Sequence, residues 1–205
     1  MKRIVISFFK IALTISLAYA PVMSQQPNQS NCVLTAANSP TVRDIRLGMS
    51  LQQVLALFPA SSKRKELMDA VERAKTAAVN EAVYLMFEPA NDGSSDRFAG
   101  VDSVMVGVYK GQVVDFNVSY VGPTWRTVDE WVEKLRQTWG LPGVQAWAVG
   151  PNENPNKVLK CQGVEIEAGI QGGGGSVRIR NTAYNKGIED SKEAGEEKKK
   201  REFKP

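Results

Sequence analysis

The sequence predicts an α+β protein, with short helices packed on antiparallel sheet and arranged as two tandem units in which a helix precedes its strands. Three observations lead there. Residues 50–58 and 127–139 each open with a helix cap and continue with apolar side chains at helical spacing. Most remaining apolar residues alternate with polar ones, which is the period of a half-buried strand. The order helix, then strands, occurs twice along the chain.

The first unit begins within residues 45–59, IRLGMSLQQVLALFP, read as a short strand, a Gly48-Met49 corner and a helix. Ser50 with Gln53 forms the S-x-x-Q capping box, whose two side chains satisfy orphan backbone N–H groups at the helix start. Leu51, Val54, Leu55 and Phe58 follow on one face. Pro59 ends the helix, because the residue before a proline is pushed out of helical geometry. Residues 61–80 form a further helix candidate; only Leu67, Val71 and Ala74 line one side, which suggests a surface insertion. Residues 82–88 (AVYLMFE) read as a strand and the following ANDGSSD as a turn.

Residues 101–121 read as a hairpin, with Val104, Val106 and Val108 alternating on one arm and Val114, Phe116, Val118 and Tyr120 on the other. A two-residue loop at Lys110-Gly111 would pair Val108 with Val113 and send these sets to opposite faces. A three-residue loop, Tyr109-Lys110-Gly111 with the glycine left-handed, puts both sets on one face and is the expectation.

The second unit opens at Thr127, with Glu130 as its capping partner. Val128, Trp131, Val132, Leu135 and Trp139 make the stripe; Gly140 and Pro142 make the stop. Strand candidates follow at 144–149, 158–161, 164–170 and 177–180, with Val164, Ile166, Ala168 and Ile170 inward and Glu165 and Glu167 outward. The units span about 41–121 and 122–184 of one domain, residues 41–184.

Residues 1–24 have the three parts of an export signal: Lys2 and Arg3, an apolar run split by Lys10, then small residues. Cleavage after Ala20 or after Ser24 are both open, Pro21 arguing against the first. The run is shorter than the ~20 apolar residues of a membrane span. Residues 25–40 read as a flexible arm, and 185–205 as a charged tail too poor in apolar side chains to order itself.

Without Lys2, Arg3 and Lys10, 23 basic side chains stand against 22 acidic ones, so the basic pI does not describe the mature body. A neutral surface gives no electrostatic reason for a nucleic-acid partner. Lys198, Lys199, Lys200 and Arg201 could still touch an anionic envelope surface. Cys32 and Cys161 suit one disulfide in an oxidising compartment, with two free thiols as the alternative.

Gly48-Met49-Ser50 before a Gln-Val-Leu helix and a proline resembles the helix start of exported proteins with the β-lactamase-inhibitor-protein-like fold, and of the SmpA/OmlA outer-membrane assembly lipoproteins. That resemblance implies two short helices against antiparallel sheet and a binding or scaffolding role rather than catalysis. The chain lacks the lipid-acceptor cysteine of the lipoprotein members.

The chain contains no histidine, which removes Ser-His and Cys-His nucleophile activation and the commonest transition-metal ligand. Glu165 and Glu167, roughly 7 Å apart on one strand face, could serve a paired-carboxylate hydrolase or simply form its wet side. Residues 91–96 (NDGSSD) lack the spacing of a calcium loop, and 171–176 (QGGGGS) lacks the Lys-Ser/Thr sequel of a phosphate loop. Asn28 and Asn117 begin glycosylation triplets that matter only in a glycosylating host. Trp125, Trp147 and Tyr109 are the candidate partner-binding aromatics, with ordinary packing as the alternative; no catalytic residue, cofactor or metal site is expected. The functional expectation is an exported, periplasmic or secreted, non-enzymatic protein that binds a protein partner. The alternatives are a carboxylate-dependent hydrolase and a peripheral envelope protein held by its basic tail.

Overall fold

A computed structural model of the chain describes residues 32–76, 81–151 and 155–202. The proposed leader, Asn28 and the arm up to residue 31 lie outside the described residues. The elements are α1 (Leu51–Leu57), α2 (Lys65–Thr76), β1 (Val83–Phe87), β2 (Val101–Tyr109), β3 (Gln112–Tyr120), α3 (Val128–Trp139), β4 (Ala148–Val149), β5 (Asn156–Lys160), β6 (Val164–Gln171), β7 (Gly174–Asn181) and α4 (Thr182–Glu202). Every strand pairing is antiparallel, in the order β1-β2-β3-β7-β6-β5-β4. The α+β class therefore holds, but the two expected units share one sheet, joined where β3 pairs with β7.

The register explains why one face is dry. Leu85, Val106, Phe116, Ile179, Ile166 and Leu159 align across six strands, and each is fully buried. A second row, Phe87, Val104, Val118, Val177 and Ala168, is equally inaccessible. The helices cover this face with the side chains their stripes predict: Leu51 and Val54 of α1, Trp131, Val132 and Leu135 of α3. α3 lies over β5 and β6. α2 is not the surface insertion its sequence suggests. Leu67, Ala70, Val71 and Ala74 are all buried, and the helix packs on the edge strand β1. Its small alanines weaken the hydrophobic pattern while permitting close approach.

The hairpin loop differs from expectation in an instructive way. Tyr109 pairs with Gln112, so the loop has two residues, Lys110 and Gly111, both at positive φ (49° and 75°). This turn suits the right-handed twist of the strands. Val108 does pair with Val113, but Gly107 then pairs with Asp115, leaving Val114 as an extra residue. The bulge returns Phe116 and Val118 to the face of Val106 and Val104.

Ser50 makes the full capping box, its hydroxyl accepting from Gln53 N–H at 3.2 Å and its own N–H donating to Gln53 Oε1 at 2.9 Å. At α3 the box is only half made: Thr127 Oγ1 accepts from Glu130 N–H, but Glu130 Oε2 accepts from Arg126 N–H instead. The expected opening strand at 45–47 reduces to isolated bridges, Val42 to Ile45 and Ser50 to Gln112. The expected strand at 144–149 becomes a 3-10 turn over Val144–Ala146 and the two-residue β4.

Three local devices tie the layers. The residue 91–96 turn buries Asp92, whose carboxylate accepts from Glu88 N–H at 2.7 Å and pairs with Arg64 at 2.9 Å, joining β1 to the start of α2. Beneath it Phe58 stacks between Phe87 and Phe98 at 4.3 and 4.8 Å. Cys32 and Cys161 are disulfide-bonded across a separation of 129 residues. The glycine run is a tight hairpin at Gly172-Gly173 followed by a packing contact. A Cβ on Gly175 would lie 2.7 Å from the Trp131 ring, and one on Gly174 would collide with the Tyr120 carbonyl oxygen.

The charged tail is a correction: rather than lacking order, it is helical through Glu202. Lys, Glu and Ala are strong helix formers, and Glu197 lies 3.9 Å from Arg201 at the favourable i,i+4 spacing. Its first turn is held by Thr182 N–H on Gly163 O and by Tyr184 packed on Tyr109.

Gly175→Ala should destabilise the fold by about 1–3 kcal/mol in urea unfolding, the usual cost of overpacking a filled core. Replacing Cys32 and Cys161 together by serine should cost about 2–5 kcal/mol, read as a fall in the urea midpoint.

Candidate functional site

The side chains that alternate away from the core form the sheet face opposite α1, α2 and α3. One row across it is Tyr84, Gly107, Asp115, Arg180, Glu165, Lys160; the next is Met86, Met105, Asn117, Arg178, Glu167, Val158. Opposite charges therefore sit on neighbouring strands, the arrangement that stabilises cross-strand pairs. Arg178 Nε donates to both oxygens of Asp115 at 2.9 and 3.0 Å, and its Nη2 makes a further short contact. Asp115 is only 5% exposed, and the Tyr84 hydroxyl donates to it at 3.4 Å. Burial, followed by the Asp115 charge, makes Tyr84 harder to ionise.

Glu165 and Glu167 share this face as the strand pattern requires. Arg180 Nη2 reaches both, at 3.4 and 3.0 Å, and Asn156 Nδ2 donates to Glu167 at 2.6 Å. One guanidinium thus engages both members of the pair. Beside them Met105, Asn117, Asn156, Glu167, Ser176 and Arg178 line a hollow of about 230 Å³. Toward the β1 edge the face turns apolar: Tyr84 is 48% and Met86 44% exposed, with Met105 half-buried. Among the described residues no group of histidine, cysteine, aspartate or glutamate is placed to hold a metal ion.

The three candidate aromatics separate. Tyr109 belongs to the open face, at the end of β2, with its ring 4.6 Å from Tyr184 and the Lys110 ammonium 5.1 Å from its centroid. Trp147 takes the packing role, the alternative to an anchor: the 3-10 turn carries it into the core, where it is 5% exposed and its indole N–H donates to Pro142 O at 3.2 Å. Trp125 lies on the helical side, half-buried and 5.3 Å from Trp131. It helps line a groove of about 440 Å³ with Tyr120, Pro123, Trp131, Leu135 and Trp139. No surface brings Trp125, Trp147 and Tyr109 together.

Sequence reasoning missed Tyr84, Met86, Met105, Asp115, Arg178 and Arg180. The alternation Val177, Arg178, Ile179, Arg180 already sends two arginines outward, but their partners depend on the register between β3, β7 and β6.

Arg178→Met should cost about 3 kcal/mol, because Asp115 is left buried without its counter-ion. Adding Asp115→Leu should recover most of that loss in a double-mutant cycle of urea stabilities. Tyr184 is pushed up to about 12, first by burial and then by Tyr84 and Tyr109. Because the folded chain resists this ionisation, the contribution is intact below pH 10, the ordinary tyrosine value, and is lost as pH rises toward 12. The alkaline fall in melting temperature should be shallower in Tyr184→Phe.

Comparison of the chain with protein-family models, with curated proteins and with solved structures finds no match.

Proposed function

We propose that this is an exported, non-enzymatic binding protein that engages a protein partner through the open face of its sheet. The observation that carries this reading is the composition of that face. Tyr84 and Met86 on β1 adjoin Met105 and Tyr109 on β2, with Arg178 and Arg180 beyond β3, on β7, and tyrosine, methionine and arginine are the residues enriched at interface cores. The face is also held before any partner arrives, since Asp115, Glu165 and Glu167 lock both arginines. Preorganised contacts lose less entropy on binding. The adjoining hollow suits one anchoring side chain of the partner.

The disulfide supports an oxidising destination, and no helix among the described residues is long and apolar enough to cross a membrane. The hydrolase reading loses support from Arg180, which occupies both carboxylates it would use. The envelope-contact reading keeps Lys199, Lys200 and Arg201, exposed in the last turn of α4; the Lys198 side chain lies outside the described residues. Among the described residues Arg178 and Arg180 of the open face pair with its carboxylates, which supports a partner other than nucleic acid.

Immobilised protein should retain a saturable protein partner from an envelope or secreted extract. Met86→Lys should weaken that capture roughly tenfold or more with the melting temperature preserved. Capture indifferent to Met86→Lys, or a hydrolytic activity abolished by Glu165→Gln with Glu167→Gln, would reject the proposal.

A further inference from the structure

We infer that the groove on the helical side is a separate small-molecule site, and that its ligand is an amphipathic anion: a flat apolar body bearing one carboxylate or sulfonate. The walls are aromatic and held in place. Trp131 is 6% exposed, and its indole N–H donates to Ser176 O at 2.7 Å. Tyr120 meets the Trp131 ring edge-on at 5.4 Å, and Trp125 tilts against it at 5.3 Å while its backbone N–H donates to Gly173 O at 3.0 Å. Rings fixed in this way offer faces and edges on which another flat apolar body packs favourably. The volume, about 440 Å³, falls in the ~300–1,000 Å³ range of small-molecule sites.

Charge selects the ligand further. Arg43 and Lys134 are the charged residues of the lining, and no carboxylate is among them. The acidic side chains nearby are engaged elsewhere: Asp44 by Arg97, Asp129 by Lys157, Glu130 by Arg126 N–H, and Glu133 by Arg136 and Gln137. Hydrogen bonds from Arg136 and Gln137 hold the Glu133 carboxyl down at about 2, so it stays anionic. Among the described residues Arg43 donates to Ala99 O, at 3.1 Å, and neither Arg43 nor Lys134 forms an ion pair. Two cations thus line an apolar, aromatic hollow with no carboxylate in its own lining; Asp129, Glu130 and Glu133 lie beyond Lys134, in the adjoining hollow. An anionic group on the ligand supplies a counter-charge inside the groove while its body fills it.

Anilinonaphthalene sulfonate and the uncharged phenylnaphthylamine share an aromatic body and differ in the anion, so the pair of probes separates the two halves of the inference. The sulfonate should bind the purified protein saturably, one per chain, with energy transfer from the tryptophans. Trp125→Ala should weaken both probes. Arg43→Gln with Lys134→Gln should weaken the sulfonate roughly tenfold and leave phenylnaphthylamine within about twofold. Both exchanges lie at exposed side chains, and an unchanged melting temperature confirms the fold. Met86→Lys, on the opposite face, should affect neither probe, which keeps this test independent of the proposed partner surface. Non-saturable binding, indifference to Trp125→Ala, or equal responses of the two probes to loss of the cations would overturn the inference.

Discussion

The structure depends on β3 and β7 meeting in one register. Along that seam Phe116 faces Ile179 and Val118 faces Val177, so the apolar rows of two separate meanders become continuous. Shift either strand by one residue and every inward side chain would turn outward. The register in turn rests on Val114. A two-residue turn alone would place the two apolar sets of the β2–β3 hairpin on opposite sides; the bulge absorbs the mismatch. The segment before α1 then seals the hairpin end, with Gly48 N–H and Leu51 N–H donating to Val113 O and Gly111 O.

Once the inner face is dry, the outer face follows without freedom. Strand alternation that buries Ile179 must expose Arg178 and Arg180 beside the outward residues of β3 and β6. The sheet answers with ion pairs that satisfy its half-buried charges, and burial of Asp115 makes its bond to Arg178 more consequential than a surface pair. The same network explains why a pair of glutamates at catalytic spacing is not by that fact an active site. Spacing describes where two carboxylates stand; Arg180 determines what they are free to do.

The molecule offers two surfaces of different character. The open sheet face is broad, with tyrosine, methionine and arginines locked by carboxylates. The helical side has an open aromatic groove whose lining carries Arg43 and Lys134. They lie on opposite sides of one sheet yet share its seam: Trp131 donates to Ser176 O from one side, while the Ser176 side chain helps line the outer hollow. Gly175 sets the floor between them, since any larger side chain would displace the tryptophan.

What the sequence determined by itself was local: the capped helices at Ser50 and Thr127, the alternation of β2, β3, β6 and β7, the α+β class, and Cys32 and Cys161 as the available disulfide pair. Those features rest on interactions between residues close in the chain, or on a count. Tertiary structure decided what depends on partners far away. It merged the expected units into one sheet, drew Trp147 into the core, gave α2 a packing role and placed Trp125 and Tyr109 on opposite sides. It also assembled Asp115, Arg178, Arg180 and Glu167 from three strands. None of these could be read from spacing, because a side chain's surroundings are set by strand register and layer order, which one-dimensional periodicity does not contain.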